Sequence, residues 1–314
     1  MSGDPMIEVR GLTRRFGAQA AVSDASFSVP AGAIFGFIGP NGAGKTTTIR
    51  ILATLDLPTE GSARIAGHDV VDEPEGVRDV MGYMPDAFGV YDGITVAEYL
   101  EFFAAAYRLP RRKWKGVTDD VMALCDLGGI RDKLVQTLSK GMRQRLCLAK
   151  TLVHDPKVLI LDEPAEGLDP RARIEIRALL RELGRMGKTI LISSHILTEL
   201  SDFCTHVGII EKGRFLAAGP IDQVVGSLRA ARRYRLRFLS RAEEAAKALS
   251  LCPGVSSSVL DADGKVLLDW TAEPEGIHRV LKVLSDRELP LVSMEEEARN
   301  LETLFMQVTK GAVA

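Results

Sequence analysis

Residues 33–47 read Ala-Ile-Phe-Gly-Phe-Ile-Gly-Pro-Asn-Gly-Ala-Gly-Lys-Thr-Thr. The apolar run over 33–38 predicts a buried strand, and it leads directly into Gly39-Pro40-Asn41-Gly42-Ala43-Gly44-Lys45-Thr46-Thr47, a Gly-rich loop that opens a helix. Glycines in such a loop let successive backbone N–H groups curl toward phosphate oxygens, and the helix N-terminus adds partial positive charge. Lys45 is placed to neutralise the β- and γ-phosphates of a nucleotide, Thr46 to reach a Mg²⁺ ion and Thr47 to reach a phosphate. The pattern arises by chance on the order of once in a hundred chains of this length, and the order of strand, loop and helix lowers that further. The stretch predicts a phosphate-binding P-loop in an α/β domain.

Residues 158–163, Val-Leu-Ile-Leu-Asp-Glu, supply the other half of such a site. A buried strand delivers Asp162 to the Mg²⁺ shell and Glu163 to the attacking water. Phosphoryl transfer to water needs an in-line nucleophile and a group to take or polarise its proton. Alone, a strand ending in two acids leads as readily into a solvated loop; the P-loop upstream gives it catalytic meaning. A further apolar run covers 189–193, with helix-like segments beside both. Such runs signal a parallel sheet buried on both faces. Strand-like stretches at 7–10 and 25–29 precede the loop. Apolar residues recurring at spacings of three and four over 96–107 and 115–127 predict an inserted helical region.

The pattern changes after Asp222. Residues 234–239 alternate basic and apolar, 242–249 read as helix, 265–270 as strand, 276–285 as helix, 289–294 as strand and 301–309 as a last helix. This describes a small α+β domain of ferredoxin-like type. At roughly 150 residues per domain, 314 residues make two. The expected extents are 1–225, with a helical subdomain over about 87–150, and 226–314.

Apolar and charged contents of 46% and 26% are those of a globular protein, which sets disorder aside. A net charge of -2 argues against a nucleic-acid binder, whose phosphate contacts need a Lys/Arg excess. Cys125, Cys147, Cys204 and Cys252 form no C-x-x-C pair and read as reduced, buried thiols. The histidines lack ligand spacing, so no structural metal is expected. No run of about 18 uncharged apolar residues occurs, and the first five residues lack a basic leader region. The expectation is a cytosolic chain that does not span a bilayer.

Leu138-Ser139-Lys140-Gly141-Met142-Arg143-Gln144-Arg145 opens an amphipathic helix. Ser139, Gly141 and the helix N-terminus make an anion site to which the chain assigns no phosphate of its own. In isolation the octapeptide is a capped helix with a basic surface. Taken in order with the P-loop and 158–163, it resembles the ABC ATPase family over residues 6–222. That resemblance implies a P-loop NTPase fold with a parallel core sheet, an antiparallel β subdomain and an inserted helical subdomain. In the family, the segment matching 138–144 is the signature motif, which binds the γ-phosphate of ATP held by the partner subunit; Ser139 and Gly141 match its phosphate-facing positions. Phe16, followed by Gly17, matches the aromatic that stacks on adenine. Residues 165–169 match the D-loop at the dimer interface, and Ser193-Ser194-His195 matches the switch histidine that contacts the γ-phosphate and supports Glu163. The resemblance implies an ATPase using ATP and Mg²⁺, with Lys45, Glu163 and His195 catalytic. Two subunits, identical or not, would sandwich two ATP molecules and dock a separate permease at the inner face of the cell membrane.

The chain departs from the family pattern at several positions. Tyr83-Met84-Pro85-Asp86 occupies the Q-loop, and Asp86 stands where a glutamine normally touches Mg²⁺, so Asp86 joins Thr46 and Asp162 as an expected Mg²⁺ contact. Glu166 stands where a smaller D-loop residue is common, Lys140 replaces a glycine and Met142 a glutamine. The form Leu-Ser-Lys-Gly-Met resembles the export branch that includes daunorubicin-resistance type ATPases. The run Asn300-Leu301-Glu302-Thr303-Leu304-Phe305 resembles the ending of the C-terminal domain those subunits carry. Arg229, Arg232, Arg233, Arg235 and Arg237 form either a solvated strand face or a contact for anionic headgroups or an acidic permease loop. A non-transport ABC ATPase in DNA repair or translation is the alternative. Such proteins carry long coiled coils, zinc elements or fused ATPase units, and the sequence has a single unit and none of the rest. A module that holds ATP without hydrolysing it is disfavoured by Glu163 and His195.

Overall fold

The computed structural model describes residues 4–87, 89, 91–195, 200, 203–227, 232–261, 263–272 and 274–296. It divides the chain into two units, Met1–Ile221 and Asp222–Ala314. The predicted helix at 301–309, the motif at 300–305 and Arg229 lie outside the described residues.

The first unit runs β1 (Ile7–Phe16), β2 (Gln19–Val29), β3 (Ile34–Ile38), α1 (Lys45–Leu52), β4 (Glu60–Ile65), β5 (His68–Asp69), α2 (Pro74–Val80) and β6 (Met81–Met84). It continues with α3 (Val96–Ala106), α4 (Arg111–Leu124), α5 (Lys140–Leu152), β7 (Val158–Leu161), α6 (Pro170–Arg185), β8 (Thr189–Ser194), β9 (His206–Glu211) and β10 (Arg214–Pro220). A six-stranded sheet has the order β10-β9-β3-β8-β7-β6. Its strands are parallel except at the edge, where β10 is antiparallel to β9. Every residue of β3, β7 and β8 is buried. Burial on both faces is why these strands read as largely apolar runs.

A second, antiparallel sheet has the order β2-β1-β4-β5. Ala25, Phe27 and Val29 point inward and Ser26 and Ser28 outward, the alternation of a sheet covered on one face. The hairpin extends well beyond 7–10 and 25–29 because register shifts after Val9, with Gly11 and Asp24 at positive φ, interrupt the alternation that marks a strand. Phe27 of this sheet stacks on Phe35 at 5.4 Å and on Phe215 at 4.7 Å, binding the two sheets around the P-loop strand. In the helical insertion, Thr95 and Glu98 close a capping box at the start of α3. Helix α4 begins at Arg111, ahead of the predicted 115, because Arg111, Arg112 and Lys113 hide its apolar period; it ends at Leu124, before Asp126 turns to φ 53°.

After α7 (Ile221–Ser227), the second unit runs β11 (Arg232–Phe238), α8 (Ala242–Ser250), β12 (Val255–Leu260), β13 (Val266–Trp270), α9 (His278–Asp286) and β14 (Leu291–Glu296). Its sheet order is β12-β13-β11-β14 with antiparallel neighbours, the β-α-β-β-α-β arrangement of ferredoxin-like units. Leu236, Leu249, Leu268, Trp270 and Val280 form its core. Among the described residues, no helix is long and apolar enough to cross a membrane.

Candidate functional site

Strand β3 ends at Ile38 and the loop turns into α1 at Lys45. Gly44 makes that turn at φ +106°, and a Cβ there would stand 2.5 Å from the Ala21 carbonyl oxygen, so no larger residue fits. Lys45 is only 6% exposed. Its Nζ donates to the carbonyls of Gly39 at 2.7 Å and Pro40 at 3.3 Å, and lies 3.4 Å from Glu163 Oε1. A buried ammonium needs such compensation, and the loop and the end of β7 supply it together.

Strand β7 delivers Asp162 and Glu163. Asp162 Oδ1 accepts a hydrogen bond from Ser193 Oγ at 2.6 Å, while Oδ2 is buried with no hydrogen-bond partner. Burial pushes the Asp162 carboxyl above its ordinary value, and the charges of Glu163 and Asp86 push the same way, against the hydroxyls of Ser193 and Thr46. An orphaned carboxylate oxygen beside a threonine hydroxyl is the oxygen donor set that suits Mg²⁺. Among the described residues no group of three or more His, Cys, Asp or Glu side chains could hold a metal. Mg²⁺ is accommodated by one or two carboxylates together with substrate phosphates, without a protein cage.

Glu163 adopts φ +47°, a left-handed conformation that costs a residue bearing a Cβ about 1–2 kcal/mol. Its N–H donates to Ser193 Oγ at 2.9 Å, which fixes that backbone. Its carboxylate lies between two partners, with Oε1 toward Lys45 and Oε2 3.0 Å from His195 Nδ1. Ser193 therefore organises both acids, a role the sequence reading did not give it. The available signal is a serine hydroxyl inside a buried strand, which must find a partner.

Asp86 and Glu166 line the same cleft as the P-loop residues 40–47 and Glu163. Burial raises the Glu166 carboxyl, and Asp86 beside it adds to the shift by charge and by hydrogen bonding. Asp86 and Glu166 thus meet at the P-loop cleft.

Ser139 and Gly141 are not brought to that cleft. They line a separate one with Leu168, Asp169 and Ala172. Ser139 caps α5, its Oγ accepting the Met142 N–H at 3.3 Å. A Cβ on Gly141 would meet nothing nearer than 3.8 Å, so packing within the chain does not require glycine there. Lys140 folds back over Gly167, its Nζ standing against the position a Cβ on Gly167 would take. Gln144 Nε2 donates to the Pro164 carbonyl at 2.7 Å and ties α5 to the segment after Glu163. Phe16 closes β1, is 52% exposed as a residue, and lies outside the residues that line the P-loop cleft.

A family model described as ABC transporter matches residues 22–166. The chain is 36% identical over 307 residues to the daunorubicin/doxorubicin resistance ATP-binding protein DrrA of Streptomyces peucetius, covering 96% of this chain and 92% of that protein. It is 31% identical over 306 residues to the Nod factor export ATP-binding protein I of Ralstonia nicotianae, covering 97% and 94%. A solved structure of the ATP-binding subunit of an ABC transporter matches with a TM-score of 0.65 at 31% identity, covering 71% of this chain and 92% of that one.

Proposed function

The chain belongs to the ABC transporter family, and on that premise we propose that two such subunits close over two ATP molecules, each held between one P-loop and the other subunit's Ser139 and Gly141. The chain is an ATP-binding and ATP-hydrolysing subunit that powers transport through a separate membrane permease. Its relatives are named for drug resistance and Nod factor export, and export is the direction we assign. The permease would hold the chain at the inner face of the membrane. A role in DNA repair or translation is not favoured, since the relatives that match nearly the whole chain are named for drug resistance and export.

The observation that carries the reading is the Glu163 carboxylate, set between Lys45 Nζ at 3.4 Å and His195 Nδ1 at 3.0 Å at the P-loop cleft. Lys45 would turn its ammonium from the loop carbonyls and Glu163 onto the β- and γ-phosphates. Glu163, released from Lys45 and still held by His195, would orient a water in line with the γ-phosphorus and take its proton. Asp162 and Thr46 would hold Mg²⁺, which when bound neutralises charge developing on the phosphates. Ser139 and Gly141 open onto a different cleft from the P-loop, so a single chain offers two half-sites and the monomer would be nearly inactive.

Copurification of the permease from membranes, followed by substrate-stimulated ATPase assays, tests the assignment. Stimulation that vanishes in Glu163→Gln supports it. Turnover that persists in that variant overturns the catalytic role.

A further inference from the structure

Arg14 and Phe16 stand two positions apart near the end of β1. The Arg14 guanidinium carbon lies 4.6 Å from the centre of the Phe16 ring, a cation–π stack. The same guanidinium pairs with Asp56 Oδ1 at 2.7 Å, and the two side chains are only 23% and 18% exposed. Asp56 follows α1, the helix that the P-loop opens, by four residues. The same turn is clamped to β1 by Thr59 N–H donating to the Thr13 carbonyl at 2.7 Å and by Arg15 N–H donating to Thr59 Oγ1 at 3.1 Å. Arg14 Nε is buried without a hydrogen-bond partner, so the cation is offset by Asp56 and by the π face of Phe16. Phe16 as a whole is half exposed, and Arg14 lies over one face of its ring.

We propose that Arg14 is a positioning residue for the nucleobase, holding the Phe16 ring so that the base stacks on the face opposite the guanidinium. This rests on the reading of Phe16 as the adenine-stacking aromatic. Asp56 links the ring through Arg14 to the turn that follows the phosphate-binding helix, so the distance between base platform and P-loop is set before ATP arrives. A planar guanidinium suits this better than an ammonium because it stacks and pairs in fixed geometry. The cation behind the ring also draws down its electron density, which favours an electron-rich purine on the opposite face.

The test compares binding of ATP with binding of inorganic tripolyphosphate, by calorimetry on the full chain. Arg14→Met is expected to weaken ATP about three- to fivefold and to leave tripolyphosphate unchanged. Asp56→Asn, which frees Arg14 without removing it, should give a smaller loss for ATP alone. Adding Arg14→Met to Phe16→Ala should produce no further loss. Should Arg14→Met not fold, Arg14→Lys keeps the ion pair, loses the planar stack and gives the same comparison. Equal losses for both ligands, or additive losses in the double variant, overturn the proposal. If Phe16→Ala weakens ATP and neither Arg14 variant does, the role of Arg14 fails alone. If Phe16→Ala leaves ATP binding intact, the base-stacking reading fails and the proposal with it.

Discussion

Ser193 donates a 2.6 Å hydrogen bond to Asp162 Oδ1 across two neighbouring parallel strands. Because its oxygen also accepts the Glu163 N–H at 2.9 Å, one hydroxyl sets a buried carboxylate and the left-handed residue proposed to be catalytic at once. Ser193→Ala should lower stability by about 1–3 kcal/mol, the consequence of unpaired buried polar groups. Turnover should fall up to about a hundredfold through misplacement of Glu163. Urea denaturation beside steady-state ATPase assays would check both, and turnover equal to wild type would refute the link.

Glu163→Gln keeps the shape of the side chain and removes the carboxylate proposed to take the proton of water. Hydrolysis should drop by at least about a hundredfold, while an ATP-bound dimer accumulates. Size-exclusion chromatography with Mg²⁺ and ATP, against ADP, reads the second outcome; elution as a monomer under both conditions would contradict it.

Asp86 lines the P-loop cleft together with Glu166. A carboxylate about 4 Å from a divalent ion gains several kcal/mol at an effective dielectric near 20, whereas beside bare ATP phosphates it repels comparably. ATP affinity of the wild type should therefore fall more on chelation than that of Asp86→Gln, by about tenfold or more. Nucleotide titrations with Mg²⁺ and with chelator decide it, and equal metal dependence in both proteins would sink the idea.

His154 stacks on Tyr107 with ring centroids 3.7 Å apart, and its Nε2 lies 3.0 Å from the Met81 carbonyl oxygen. Its Nδ1 is buried without a hydrogen-bond partner. Burial lowers its pKa below the ordinary 6.5, outweighing the pull of that carbonyl. A histidine kept neutral by the fold takes up its proton more readily when unfolded, so stability is full above about pH 6.5 and declines as pH falls through that value. Urea midpoints between about pH 7.5 and 5.5 should fall for the wild type and stay flatter for His154→Gln.

The P-loop, β3, β7 and β8 are legible because strands buried on both faces are written mostly in apolar residues, and the acids that follow β7 then stand out. Strands β9 and β10 were not read, since Gly208 interrupts one and the edge position of the other gives it a mixed pattern. The pairing of Asp86 with Glu166 joins residues 80 apart in sequence and no local pattern encodes it. Nor does one encode the left-handed backbone of Glu163, which depends on a serine thirty residues downstream. Arg14 was invisible for a different reason: next to Arg15 it reads as one of two surface cations, and only Asp56 and the Phe16 ring single it out.

Gly141 and Gly44 look alike in the sequence and are retained by different pressures. Replacing Gly44 sets a side chain against the Ala21 carbonyl and the fold itself objects; at Gly141 the chain has room to spare. A library selected only for soluble, folded protein would hold glycine at 44 and let 141 drift to alanine or serine. Only a selection that demands growth under transport would restore it. Under the proposed assembly, position 141 keeps a record of the neighbour that must approach it.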